Sequence, residues 1–296
     1  MKTNLRAPNE PSANQGNAVA RNASRSAVFL RWAGGKRWLV PTLRTQGSSR
    51  VFHTYFEPFL GGGSLFLEWG YSIARQFVLS DLESPLIEVY KAVRDIPEDV
   101  LSYVHSWSRN QKQYLAVREF EPNGDPAFNA ARLVYLNRHA WNGLYRVNRD
   151  GHFNVPYAPR KPMPSDFDST VREASKRLKE TDATLEVSDF ESIIKRATAG
   201  DVLVLDPPYA IKSIGSTKNR YYNVKRFSWD DQERLAKAAK DAAIRGVKVF
   251  ATPGAGAEGL YSHRVFSFVG LRRNQQIAGD PKCRSRVPEW LIISRD

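Results

Sequence analysis

The run Val202–Leu205 is wholly apolar and is followed at once by Asp206-Pro207-Pro208-Tyr209. Open α/β sheets bind ligands outside the carboxyl ends of their strands, so a carboxylate in this place suits a reaction centre. The two prolines fix the backbone and remove two N–H donors. What remains is a set of acceptors: the Asp206 carboxylate and the adjoining carbonyls. An exocyclic amine donates two hydrogen bonds, so such a pair can orient it and expose its nitrogen lone pair. Tyr209 adds a flat face on which an extruded base can stack. A proline-rich turn with an acidic cap has the same spelling, and the tetrapeptide alone does not separate the two.

A second candidate is Glu57-Pro58-Phe59-Leu60-Gly61-Gly62-Gly63-Ser64. Glycines at a strand-to-helix turn let the backbone approach a nucleoside-like ligand closely. Asp81, at the end of the next apolar run, is placed to accept from ribose hydroxyls. A NAD-binding fingerprint would need a third glycine where Phe66 stands, and a P-loop would need Ser or Thr after Lys36, where Arg37 stands.

The elements that must hold these residues follow from periodicity. Thr54–Glu57 reads as a strand, Ser64–Ala74 as a helix with Leu65, Phe66, Trp69 and Ile73 on one side, and Phe77–Leu79 as a second strand. That is half of a nucleotide-binding α/β sheet. Residues 85–179 break the rhythm: helical stretches at Val100–Trp107 and Ala127–Leu136 precede a Gly/Asn/Pro-rich stretch, Asn142–Pro164. Within it, Tyr145–Val147 and His152–Val155 flank Asn148-Arg149-Asp150-Gly151, the pattern of a β-hairpin. The α/β rhythm resumes with strand Thr184–Val187, helix Phe190–Arg196 and strand Val202–Leu205. Ser228 and Asp231 open a helix to about Ile244 with a capping box, and strands follow at Val247–Ala251, Val265–Val269 and Trp290–Ile293. The layout is a disordered basic tail over 1–27, an α/β domain over 28–84 and 180–296, and an insert over 85–179.

Composition narrows the partners. The chain of 296 residues carries 44 Lys+Arg against 31 Asp+Glu, a net +13, which favours a polyanion, nucleic acid before membrane. A single cysteine, Cys283, excludes an internal disulfide and a Cys-cluster metal site, and the five histidines show no metal-binding spacing. No metal is expected. With no membrane-length apolar run and no apolar leader, the expected setting is cytoplasmic. Oligomeric state is not predicted.

Four segments taken together resemble a known family. Phe29-Leu30-Arg31-Trp32-Ala33-Gly34-Gly35-Lys36, the glycine turn, Leu136-Asn137-Arg138 through Trp141-Asn142-Gly143-Leu144-Tyr145-Arg146-Val147-Asn148 to Phe153-Asn154-Val155-Pro156, and Asp206-Pro207-Pro208-Tyr209 stand in the order found in Dam-type (D12 class, alpha-group) adenine-N6 DNA methyltransferases. The resemblance spans about Phe29 to Ile293. It implies a Rossmann-like S-adenosylmethionine-dependent methyltransferase sheet with helices on both faces, plus a mainly helical target recognition insert carrying a β-hairpin. It implies double-stranded DNA as partner and direct in-line methyl transfer to a flipped adenine. Trp32, Ala33, Gly34 and Lys36 would help hold S-adenosylmethionine. Glu57, Phe59, Gly61 and Gly63 would surround its methionine end, Asp81 its ribose, and Asp189-Phe190 its adenine. Asp206 would touch cofactor and target amine, with Pro207, Pro208 and Tyr209 completing the catalytic set. Arg31, Arg138, Asn142, Arg146, Asn148, Arg149 and Asp150 would face DNA, with Arg160 and Lys161 adding charge.

The chain departs from the pattern at Asp150 and at Thr252-Pro253-Gly254, and near the C-terminus Arg272-Arg273…Arg286…Glu289-Trp290-Leu291 only loosely follows the usual Arg-rich, Glu-Leu-Leu ending. Asp150 stands where GATC-reading relatives carry a basic residue; a carboxylate accepts from a cytosine amine and cannot donate to guanine O6/N7, so GATC reading would fall to Arg149. Thr252-Pro253-Gly254 stands where the family more often has an Asn-containing strand end. Cytosine-N4 or protein-glutamine methylation shares the acceptor logic, although those families resemble Ser-Pro-Pro-Tyr or Asn-Pro-Pro-Tyr. A non-catalytic DNA-binding protein on the same scaffold, and more distantly a NAD enzyme, are the other readings open at this point.

Overall fold

The computed structural model describes residues 26–47, 51–148, 150–159, 163–209, 227–274 and 286–296, with backbone alone at 272–274 and 286–288. In chain order the elements are α1 (Val40–Gln46), β1 (Phe52–Glu57), α2 (Ser64–Glu68), β2 (Ala74–Asp81), α3 (Ser84–Asp95), α4 (Pro97–Ser106), α5 (Gln111–Glu119), α6 (Pro126–His139), α7 (Phe167–Glu180), β3 (Thr184–Val187), α8 (Phe190–Arg196), β4 (Val202–Leu205), α9 (Trp229–Ile244), β5 (Lys248–Ala251), β6 (Phe266–Asn274) and β7 (Arg286–Ser294).

The described strands form one seven-stranded sheet in the order β3-β2-β1-β4-β5-β7-β6. β3, β2, β1, β4 and β5 run parallel, and β7 is antiparallel to both β5 and β6. The chain winds outward from β1 through β2 to β3 on one side and from β4 to β5 on the other. The crevice between β1 and β4 is thus the topological switch point, where such sheets bind ligands.

Alternation along the strands builds two apolar layers, as the period of two requires. Tyr55, Phe77, Leu79, Val202, Val204, Phe250, Leu291 and Ile293 join one core cluster with α1, α2, α3, α6 and α7. Phe56, Val78, Leu203, Leu205, Val249, Ala251 and Ile292 join the other, under α8 and α9. Helices therefore cover both faces, as expected. The first cluster runs without a break from the sheet into helices α3, α4, α5 and α6, through Tyr90, Val93, Val100, Leu101, Tyr114 and Tyr135.

Several elements match their sequence patterns. β3, α8 and β4 have the expected limits, and α9 opens on a complete capping box between Ser228 and Asp231. The hairpin pairs Val147 with Phe153, and Asn148 N–H donates to His152 O at 2.8 Å. Two expectations are corrected. The helix expected over Ser64–Ala74 ends at Glu68; a 3-10 turn at Gly70–Ser72 follows, and Ala74 already belongs to β2. The reason is close packing: a Cβ at Gly70 would lie 2.6 Å from the Tyr55 ring, so the chain bends there against β1. The tail expected over 1–27 lies outside the described residues up to 25, but Ala27 is fully buried and Ser26 Oγ donates to Glu68 Oε1 at 2.7 Å.

Candidate active site

The carboxyl ends of the central strands present three acids side by side: Glu57 from β1, Asp81 from β2 and Asp206 just past β4. Each has its own environment. Glu57 is buried and accepts from Tyr55 Oη at 2.6 Å. Burial, with the neighbouring Asp206 and Asp81 charges, pushes its pKa up to about 8, against the pull of the Tyr55 hydroxyl. Asp81 accepts from Gly61 N–H at 2.9 Å and Glu83 N–H at 3.1 Å, yet burial still raises it.

Asp206 is the hub. Its Oδ1 accepts from Lys36 Nζ at 2.8 Å and from Thr252 Oγ1 at 2.7 Å. Lys36 is 1 % exposed, donates also to Gly34 O at 2.9 Å, and lies 5.0 Å from the centre of the Tyr209 ring. Burial works against its charge, but Asp206 and Tyr209 outweigh it and hold the ammonium above the ordinary lysine range. Tyr209 is half-exposed and its hydroxyl donates to Glu289 Oε1 at 2.9 Å. Burial of the phenol, relieved by Lys36, moves its pKa up to about 12, so it remains a neutral stacking face. The Pro208 carbonyl accepts from the buried Gln232 Nε2 at 3.4 Å.

The glycine turn closes the other side. Gly61 and Gly63 have φ of +47° and +63°, a conformation open to glycine. A Cβ on Gly61 would lie 2.9 Å from Trp32 Nε1, one on Gly62 2.6 Å from Trp32 Cβ, and one on Gly63 2.6 Å from Tyr90 Oη. Trp32 also stacks on Tyr145, with ring centres 5.6 Å apart and planes at 20°. One indole therefore bridges the glycine turn and the root of the hairpin. Phe59 stacks on Phe190 at 5.3 Å, and Phe227 meets both edge-on or tilted. Phe59 thus sits with the Phe190 element rather than apart from it. Asp189 caps α8 and pairs with Arg234, whose guanidinium lies 4.8 Å over Phe190.

A model of the family described as "D12 class N6 adenine-specific DNA methyltransferase" matches residues 32–263, which takes in the glycine turn and the acidic tetrapeptide. The chain belongs to the D12 class of N6 adenine-specific DNA methyltransferases. It is 34% identical over 288 residues to the Type II methyltransferase M1.LlaDCHI of Lactococcus lactis subsp. cremoris, covering 94% of this chain and 99% of that one. It is 31% identical to the DNA adenine methylase of Serratia marcescens, covering 92% and 99%, and 30% identical to that of Escherichia coli strain K12, covering 76% and 80%.

Within this D12 chain the residues expected at DNA sort into distinct settings. Arg31 is tied down by its backbone: its N–H donates to Asn137 Oδ1 at 2.8 Å, and its carbonyl accepts from Asn137 Nδ2 at 2.7 Å. Arg31 Nη1 donates to the Arg138 carbonyl at 3.3 Å. Arg138 lies over the Phe167 ring at 4.8 Å, and burial beside Arg31 lowers its pKa to about 10. Arg146 is held to Asn154 across the hairpin at 2.6 Å, and Asn148 accepts from Asp150 N–H and His152 N–H, shaping the turn. Asp150 and Asn142 are exposed, the latter with φ +54°. Arg149, Arg160 and Lys161 lie outside the described residues.

Sequence reading alone set Thr252 and Glu289 down as departures from the family pattern, and assigned no role to Tyr90, Phe227, Gln232 or Trp141. Trp141 is 55 % exposed beside the Asn142 turn, a placement for a large aromatic that only the fold reveals. Among the described residues no group of acids, histidines and cysteines could hold a metal ion, and no helix is long and apolar enough to cross a membrane.

Proposed function

We propose that the chain transfers the methyl group of S-adenosylmethionine to N6 of an adenine flipped out of double-stranded DNA, working in the cytoplasm. The observation that carries this reading is the geometry around Asp206, which gathers Lys36, Thr252 and Tyr209 at the switch point of the sheet. The cofactor fits the residues present: a cationic sulfonium with an amino group and ribose hydroxyls suits an edge lined by Glu57, Asp81 and Asp206, beside a glycine turn whose missing Cβ atoms would meet Trp32 and Tyr90. Trp32, Ala33, Gly34, Lys36, Glu57, Gly61 and Gly63 would hold its methionine end, Asp81 its ribose, and Phe59, Asp189 and Phe190 its adenine. When bound it supplies a methyl group on a positively charged sulfur.

The protein's own part is positioning. Adenine N6 is a poor nucleophile because its lone pair is delocalised into the ring. Acceptance of its two N–H groups by Asp206 and the Pro207 carbonyl would favour a more tetrahedral nitrogen. The Pro208 carbonyl is already engaged by Gln232. Holding donor and acceptor in line contributes several kcal/mol, roughly 7–11 in well-oriented cases. Flipping costs a few kcal/mol, offset by stacking on Tyr209. We assign target recognition to the insert, 85–179, with the hairpin around Asn148–Asp150 in the major groove, and phosphate contact to its basic residues.

Nucleoside mass spectrometry of unmethylated DNA incubated with protein and S-adenosylmethionine tests the reading. N6-methyladenine from the parent and none from Asp206→Ala is the expected result. DNA binding with no methylated base from the parent overturns it.

A further inference from the structure

The corner that follows β5, Thr252-Pro253-Gly254, touches both ends of the reactive tetrapeptide. Thr252 is 4 % exposed, and its N–H donates to Leu205 O at 2.9 Å, which fixes it beside the residue that precedes Asp206. Its hydroxyl lies 2.7 Å from Asp206 Oδ1. An ionised carboxylate only accepts, so Thr252 Oγ1 is the donor. Lys36 Nζ takes the same oxygen at 2.8 Å. Two donors fill the two lone-pair directions of Oδ1. Among the described residues no polar partner sits on Oδ2. Two residues on, Gly254 lies against Tyr209: a Cβ there would stand 3.2 Å from Tyr209 Cα, Cβ and Cδ1.

We propose that Thr252 is a positioning residue for the reaction, which together with Lys36 saturates Asp206 Oδ1 and so turns Oδ2 toward the target amine. The assignment rests on the reading of Asp206 as acceptor for adenine N6. Without the hydroxyl, Oδ1 keeps Lys36 but has a free lone pair, and it competes with Oδ2 for the amine. The effect falls on the chemical step, because the buried Thr252 hydroxyl acts through Asp206. Gly254 serves the same end by letting the Tyr209 backbone lie close to the corner.

The test compares Thr252→Val, Thr252→Ser and Asp206→Ala with the parent, all in the full chain, using unmethylated duplex DNA and S-adenosylmethionine at saturation. Thr252→Val should lower kcat by about tenfold to a hundredfold, as loss of a hydrogen bond to a charged group would. KM for both substrates should stay within about twofold of the parent, since binding contacts are untouched. Thr252→Ser, which keeps the hydroxyl, should restore the rate. Should Thr252→Val fail to fold, as judged by thermal unfolding, Thr252→Ala offers the same loss of hydroxyl in a smaller side chain. A Val or Ala variant that folds and keeps parental kcat while Asp206→Ala is dead overturns the role of Thr252. A parent that makes no N6-methyladenine overturns the reading of Asp206 and this proposal together.

Discussion

Lys36 and Asp206, 170 positions apart in the chain, meet at 2.8 Å with the lysine almost wholly out of water. The contact ties the segment before α1 to the end of β4, so Lys36 and the tetrapeptide form one unit. Replacing one partner leaves a charge stranded. Asp206→Asn should therefore lower the unfolding free energy by about 3 kcal/mol, the scale of breaking a buried pair. Lys36→Met combined with Asp206→Asn should recover much of that loss, because no buried charge remains. Urea denaturation of the single and double variants reads both values, and a double variant as unstable as the sum of the singles would contradict this account.

Glu57 gives the fold a pH dependence with a definite sign. Its pKa, ordinarily near 4.5, stands at about 8 in the folded chain, chiefly through burial. Between those values the folded state keeps the proton and the unfolded chain has lost it. Stability from this group therefore falls as pH rises through the window. The difference in unfolding free energy between the parent and Glu57→Gln, measured at pH 5 and pH 8, should shift in favour of the Gln variant at the higher pH. A pH-independent difference would count against it.

Gly63→Ala should be costly for two reasons. The residue has φ +63°, and its new Cβ would stand 2.6 Å from Tyr90 Oη, whose hydroxyl is itself held by Gly61 O at 3.0 Å. The backbone strain alone costs roughly 1–2 kcal/mol. Thermal unfolding should show a lower Tm, and titration with S-adenosylmethionine a weaker affinity; pairing it with Tyr90→Phe should relieve part of the clash.

Tyr145 belongs to the hairpin, yet its ring supports Trp32, which in turn covers Gly61 and Gly62. Tyr145→Ala should weaken S-adenosylmethionine binding by roughly twofold to tenfold, the scale of one lost aromatic pair. Calorimetric titration without DNA checks this, and an unchanged Kd would show that the glycine turn keeps its shape unaided.

Trp141 packs little of its ring, so Trp141→Ala should leave the unfolding midpoint close to the parent's. Exposed beside Asn142, it would offer a stacking face for a base, and its loss should weaken duplex DNA binding by roughly 1–3 kcal/mol. Equal DNA affinity for variant and parent would remove Trp141 from the interface.

Much of the architecture is written in local pattern. β4 is read from four consecutive apolar residues and α9 from a Ser–Asp capping box, because each signal acts within a few residues. The end of α2 escaped the same reasoning. Leu65, Phe66, Trp69 and Ile73 keep helical spacing, but the limit is set at Gly70 by a ring from β1, which no local pattern contains.

By itself the sequence determined the chemistry on offer: acceptors after a buried strand, glycines at a strand-to-helix turn, an excess of positive charge, and the family these imply in order. Residue types fix what a side chain can donate, accept or stack on, and spacing along a strand or helix fixes its face. Only the tertiary structure decided which of those groups act together. It brought Lys36 and Thr252 onto one oxygen of Asp206, Glu289 onto Tyr209, and Trp32 between the glycine turn and the hairpin. Those meetings depend on strand order and on burial, which are properties of the whole core and have no local spelling.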